Sequence, residues 1–187
     1  MMTPIPIDGP AVEPIGMPDM RAYLRLDDGA EDDLIAALVK TARVHVEAAA
    51  GRVLVESRWR MGLEAWPEGR VVPLPVSPLI AVERVRVFGR DGGAIDVPAG
   101  LYEADLFSDP PRLVVDPLAP EPGRRRQGVL IEVRAGYGAT PESVPAPLRQ
   151  AVRLLVARWF ENRGDADPGP LPPDVLALVA PFRRMRI

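Results

Sequence analysis

His45 is the only histidine of the sequence, and cysteine is absent. Those two facts remove most reactive chemistry at once, because thiolate nucleophiles, disulfide frameworks, thiolate metal sites and multi-histidine metal sites need residues this chain lacks. His45 lies between Val44 and Val46 with no base beside it, which reads as a surface or interface histidine. The densest acidic group is Asp27, Asp28, Glu31, Asp32 and Asp33. Its spacing departs from a calcium loop, and turn and helix-cap duty explains it, with pairing to a neighbouring subunit's arginines as an added role. Gly89-Arg90-Asp91-Gly92-Gly93 joins two strand-like runs, so it is a hairpin turn and not a phosphate cradle. No Gly-x-Ser-x-Gly elbow and no Walker-type lysine occur. These observations point away from an enzyme and imply neither a metal nor another cofactor.

What remains is binding chemistry. Arg124, Arg125 and Arg126 sit between Pro122-Gly123 and Gly128, in a segment over residues 119–127 expected to be a mobile loop. Three readings stand beside one another there: a solvated loop, a contact with a protein partner, and a contact with phosphates. The C-terminal stretch is more informative. A proline-stiffened linker over residues 165–173 leads to Leu176, Leu178 and Val179, on a turn or two of helix broken by Pro181. Phe182, Arg183, Arg184, Met185, Arg186 and Ile187 then alternate apolar and basic character. Such a segment cannot easily bury itself in its own core. It reads as a docking peptide with Phe182 and Ile187 as anchors and its arginines against a carboxylate-rich groove, the plainer reading being a frayed terminus.

The elements that must position these segments follow from periodicity. Residues 1–18 hold five prolines and no period, and are expected to form an extended arm, ordered only if something holds it. A short helix is expected over 19–26 with Asp19 as its cap. After the Asp27-Asp28-Gly29 turn, Leu34, Ile35, Leu38, Val39, Ala42, Val46 and Ala49 form one apolar stripe, and Gly51 stands where a left-handed cap belongs. From residue 53 to about 137 the period switches to that of strands, at 53–61, 82–87, 94–97, 100–104, 112–116 and 129–134. Prolines divide these runs and confine several to sheet edges. A second long helix runs from about 140 to 164, with Leu148, Ala151, Val152, Leu155, Val156, Trp159 and Phe160 on its apolar face.

The expected fold is therefore α+β. A core of two long helices plus short ones occupies residues 19–52 and 140–164, a small antiparallel sheet module is inserted at 53–139, and the linker and tail fill 165–187. The two helices can pair only if the sheet module leaves and returns at neighbouring points. Length and composition agree: 187 residues with 47% hydrophobic content can bury a core. The net charge of −3 carries no basic surplus of the kind a nucleic-acid binder shows. No signal-peptide pattern opens the sequence and no apolar run approaches a membrane span. Of 23 basic residues only Lys40 is lysine, a bias expected of a GC-rich genome.

Three blocks carry a family resemblance. MRAYLRLDDGAEDDLIAALVKTARVHVEAAAGRVLV, closed by Ala50-Gly51-Arg52, is similar to the opening of head–tail connector (adaptor) proteins of long-tailed phages and phage-like gene transfer agents. VPAPLRQAVRLLVARWFENRG resembles that family's other long helix, and LPPDVLALVAPFRRMRI resembles its closing peptide. The sheet insertion departs from the shortest, all-helical connectors and resembles the longer subfamily. The resemblance implies a structural protein of the particle neck, assembled in the bacterial cytoplasm. It implies a homo-oligomeric ring, in relatives usually a dodecamer, with its tail against the portal protein. A stopper or tail-completion protein would bind below, and DNA would pass through the lumen without being read. A DNA-binding or packaging accessory factor, using Arg124 to Arg126 and the terminal arginines, is the alternative, as is a tail-side stopper of the same particle.

Overall fold

The computed structural model describes residues 2–162 and 170–183. The chain forms two compact units, one of Met1–Pro10 with Glu56–Gly136 and the other of Ala11–Val55 with Tyr137–Ile187.

The second unit is helical. Helix α1 (Met17–Leu24) starts after Gly16, two residues ahead of the expected Asp19 cap, because Pro18 is tolerated within a first turn where amides have no helical partner. It also stops two residues early. Arg25 adopts a left-handed conformation (φ 57°), and the Leu26 amide donates back to the Arg21 carbonyl at 3.0 Å. Helix α2 (Asp32–Ala50) has the expected stripe and stop: Gly51 takes φ 66° and its amide donates to the Glu47 carbonyl at 2.8 Å. Ile35, Val39, Ala42, Val46 and Ala50 of α2 are buried in one core with Leu148, Ala151, Val152, Leu155 and Val156 of α3 (Ala146–Glu161). Each larger aliphatic side chain so buried contributes about 1.5–3 kcal/mol. Helix α4 (Pro173–Val179) adds Val175 and Val179 to the same core.

The first unit is two antiparallel sheets rather than one. Five strands run in the order β1 (Ile5–Pro6), β2 (Ser57–Leu63), β8 (Val129–Ala135), β4 (Leu79–Phe88), β5 (Ala94–Asp96). Three more run β3 (Val71–Pro73), β7 (Arg112–Val115), β6 (Tyr102–Asp105). Strict alternation in β8 buries Val129, Ile131, Val133 and Ala135 and turns Leu130, Glu132 and Arg134 outward. The expected hairpin joins β4 to β5, closed by the Gly89 amide on the Gly93 carbonyl at 2.8 Å. The proline-containing arm is held: Ile5 and Pro6 pair with Arg60 and Trp59, the Ile7 amide donates to the Arg58 carbonyl at 2.8 Å, and Asp8 binds the Arg58 guanidinium. The edge strands β1, β5, β3 and β6 are two to four residues long and two carry proline, which blunts pairing with other chains.

The sheet segment leaves and returns at neighbouring points. In the helical unit the Tyr137 amide donates to the Leu54 carbonyl at 3.2 Å, and in the sheet unit Ser57 stands opposite Ala135. That pairing lets α2 and α3 pack although more than eighty residues separate them.

Candidate functional site

The described part of the C-terminal segment is fastened at its root. Val179 is fully buried, while Leu176 is half-buried and Leu178 and Phe182 pack on the core from its margin. Pro181 and Arg183 are exposed. The last carbonyls of a helix lack helical partners and carry partial negative charge. Arg183 uses this, its Nε donating to the Ala49 carbonyl at 3.2 Å beside the end of α2. Arg52, just past the Gly51 cap, donates from Nε to the Phe182 carbonyl at 3.0 Å. Phe182 is thus half-buried on its own unit, contrary to the expectation that the segment finds no place there. Arg184, Met185, Arg186 and Ile187 lie outside the described residues.

The basic loop is also held, where a mobile segment was expected. The Arg124 guanidinium stacks on the Phe88 ring at 4.7 Å from its centroid, Nε donates to the Arg126 carbonyl at 2.7 Å and Nη2 to Gln127 Oε1 at 3.3 Å. The Gly123 amide donates to the Phe88 carbonyl at 2.9 Å. Further upstream, Trp66 Nε1 donates to the Pro120 carbonyl at 2.9 Å and Arg70 pairs with Glu121. Gly128 is required by close approach, since a Cβ there would collide with the Glu64 carbonyl oxygen. Arg124 therefore shapes the loop, while Arg125 and Arg126 are presented to solvent.

The residues first weighed for chemistry have structural partners. His45 meets the edge of Trp159 with ring centroids 5.3 Å apart. Asp32 receives Arg21 through both guanidinium arms, Nε at 2.7 Å, and this hydrogen bonding holds its carboxyl below the usual aspartate range. Asp28 accepts the Ala30 amide at 3.1 Å in a turn. Among the described residues no group of three or more carboxylates and histidine is placed to hold a metal, and no helix is long and apolar enough to cross a membrane.

Two features escaped the sequence reading. Arg43 is buried on the apolar side of α2, its Nε on Glu13 at 2.7 Å and its Nη1 on Glu47 at 2.9 Å, while Glu47 also accepts the Leu54 amide at 2.9 Å. Burial works against the Arg43 charge, but Glu13 and Glu47 outweigh it and raise its pKa; burial pushes Glu47 up, opposed by the Leu54 amide and Arg43. The available signal was an arginine on the α2 stripe with glutamate four residues on. The other feature is Phe107, fully exposed on the loop between β6 and β7. The Asp105 carboxylate accepts the Phe107 and Ser108 amides, each at 3.1 Å, and the Ser108 hydroxyl. The Ser108 bonds, side chain first, hold Asp105 below its ordinary range. Burial and exposure in such a loop leave no periodic trace.

These surfaces offer recognition: a shaped basic loop, an aromatic tip and a fastened tail root. Solved structures resemble the whole chain. A chain in the neck of an empty gene transfer agent (GTA) particle, computed with C6 symmetry, is 27% identical with a TM-score of 0.81, covering 99% of this chain and 97% of that one. A chain in the virion of a native gene transfer agent particle is 26% identical with a TM-score of 0.80, over 98% of this chain and 96% of that one. A chain in the neck of a native GTA particle computed with C12 symmetry is 28% identical with a TM-score of 0.72, over 99% and 97%. No family profile matches the sequence. No curated protein matches it either. The likeness is to structural components of a phage-like particle and extends through both units.

Proposed function

We propose that this chain is a structural head–tail connector (adaptor) subunit of a phage-like particle. It forms a ring of twelve beneath the portal protein, receives a stopper or tail-completion protein on its other side and surrounds DNA in transit. Its place is the particle neck, after assembly in a bacterial cytoplasm. The observation that carries this reading is the full-length likeness to chains of GTA necks treated with cyclic symmetry.

Charge supports passage of DNA over retention. Four outward arginines of the larger sheet are paired with carboxylates, Arg58 with Asp8, Arg84 with Asp96, Arg86 with Glu132 and Arg134 with Glu56, while Arg60 is exposed without one among the described residues. Paired arginines release few counterions and hold phosphates weakly, which disfavours the DNA-binding alternative. The tail root supports docking, because fastening Phe182 and Arg183 to α2 fixes where Arg184, Met185, Arg186 and Ile187 begin. Leu176, Leu178 and Pro181 would flank that origin, and buried Val179 would secure it.

Deleting residues 184–187 tests the proposal while leaving the Arg52 and Arg183 bonds in place. The expected result is a folded protein and particles whose heads and tails remain separate. Joined particles at normal yield would contradict it. Heads that keep the truncated chain but lose the tail would assign it to the tail side, as a stopper.

A further inference from the structure

Two loops of the sheet unit present side chains that have no partner among the described residues. The β6–β7 loop presents Phe107 at full exposure, with Leu106 at 41% and Val114 at 45% beside it in sequence and strand. Glu103, opposite Val114 in register, has no ion-pair partner among the described residues. The Asp105 bonds fix this loop beforehand, so an aromatic anchor is presented at little further entropic cost. The second loop carries Arg125 and Arg126, and its Gly123 lies against the β4–β5 hairpin, where a Cβ would stand 2.7 Å from the Arg90 backbone nitrogen. The guanidinium groups of Arg90, Arg125 and Arg126 also lack carboxylate partners among the described residues, as does Arg60, in a unit that pairs Arg58, Arg70, Arg84, Arg86 and Arg134. One loop enters β7 and the other joins β7 to β8.

We infer that these loops are the two halves of one head-to-tail contact between copies of this chain: Phe107 and Glu103 of one copy meet Arg90, Arg125 and Arg126 of the next. A heterologous interface needs two different, complementary patches on one molecule and closes into a ring when its rotation divides the circle. The apolar, acid-edged loop and the basic loop are complementary in that sense. Guanidinium on an aromatic face is chemistry the chain already uses at Arg124 and Phe88. The inference rests on the connector reading for its ring.

Absence of native cysteine makes the test clean. Leu106→Cys with Arg126→Cys keeps Phe107, Arg90 and Arg125. Purified full-length chain and purified particles are treated with a short bifunctional thiol reagent and resolved on a denaturing gel. The expected result is a ladder at multiples of 20.3 kDa from the double variant and monomer from each single variant. Dimers from a single variant, or no ladder from particles that contain the chain, would overturn the contact. A ladder from the purified chain with no copy in particles would keep the contact and remove the connector reading. As a second arm, Arg125→Glu with Arg126→Glu lowers ring incorporation by about tenfold or more, and adding Glu103→Arg restores part of it. Loss without rescue would assign the basic loop to a different protein or to DNA, and overturn the inference.

Discussion

Both units bury an apolar interior, but the helical unit also buries an arginine with its counter-charges, while the sheet unit carries most of the exposed large hydrophobic side chains. Among the described residues, the exposed large hydrophobic side chains Ile5, Val71, Ile95, Leu106, Phe107, Val114 and Leu118 belong to the sheet unit, and only Val12, Tyr23 and Val44 to the helical one. Those of the sheet unit stand mostly on edge strands and in loops, where only another surface can cover them. The difference separates two duties. In the proposed connector the helical unit carries the tail root and the sheet unit supplies contact surface.

Substitution at Glu47 and Phe107 tests that division most severely. Glu47→Ala leaves Arg43 buried beside Glu13 alone and the Leu54 amide without its acceptor, and is expected to cost about 3–5 kcal/mol in urea unfolding. Phe107→Ala is expected to stay within about 0.5 kcal/mol of the parent while particle incorporation is lost. Equal destabilisation by the two would erase the distinction.

Gly128→Ala should act within the sheet unit at intermediate size. Its Cβ would collide with the Glu64 carbonyl oxygen and with Pro122, so the basic loop must shift, at about 1–3 kcal/mol. Thermal unfolding measures the cost, and loss of the Arg124–Phe88 stack, read from the Phe88 ring proton shifts, measures the displacement. An unchanged stack would show that the loop is not held as described.

The smallest effects are in pH, and Glu47 and Asp105 differ in sign. Burial raises Glu47, so its contribution to stability is complete below the ordinary glutamate range and lost as pH rises through the raised folded value. Hydrogen bonds lower Asp105, so its contribution is complete above the ordinary aspartate range and lost as pH falls through the depressed folded value. Carboxyl-resolved NMR titration should place Glu47 above and Asp105 below their ordinary values. Displacement of both in one direction would contradict the contrast.

Periodicity made the helical unit legible. The stripe of α2, the Gly51 stop and the apolar face of α3 are local patterns repeated over enough turns to overcome noise. Strands β1 and β3 carry Pro6 and Pro73 and span two and three residues, so only pairing with β2 and β7 makes them strands. Division into two sheets was hidden for the same reason, since tertiary pairing sets it. Residues 124–126 stood out by composition, but the fixation of Arg124 by Phe88 depends on a hairpin more than thirty residues away. Phe107 carried no signal at all: an apolar residue in a loop looks alike whether it is covered or bare.

Electron microscopy of purified particles from the producing bacterium, with this chain traced at the neck, tests the central claim most directly. The account predicts a ring of this chain between portal and tail, with its C-terminus against the portal. Finished particles that lack the chain would contradict the connector role and move it to assembly or packaging.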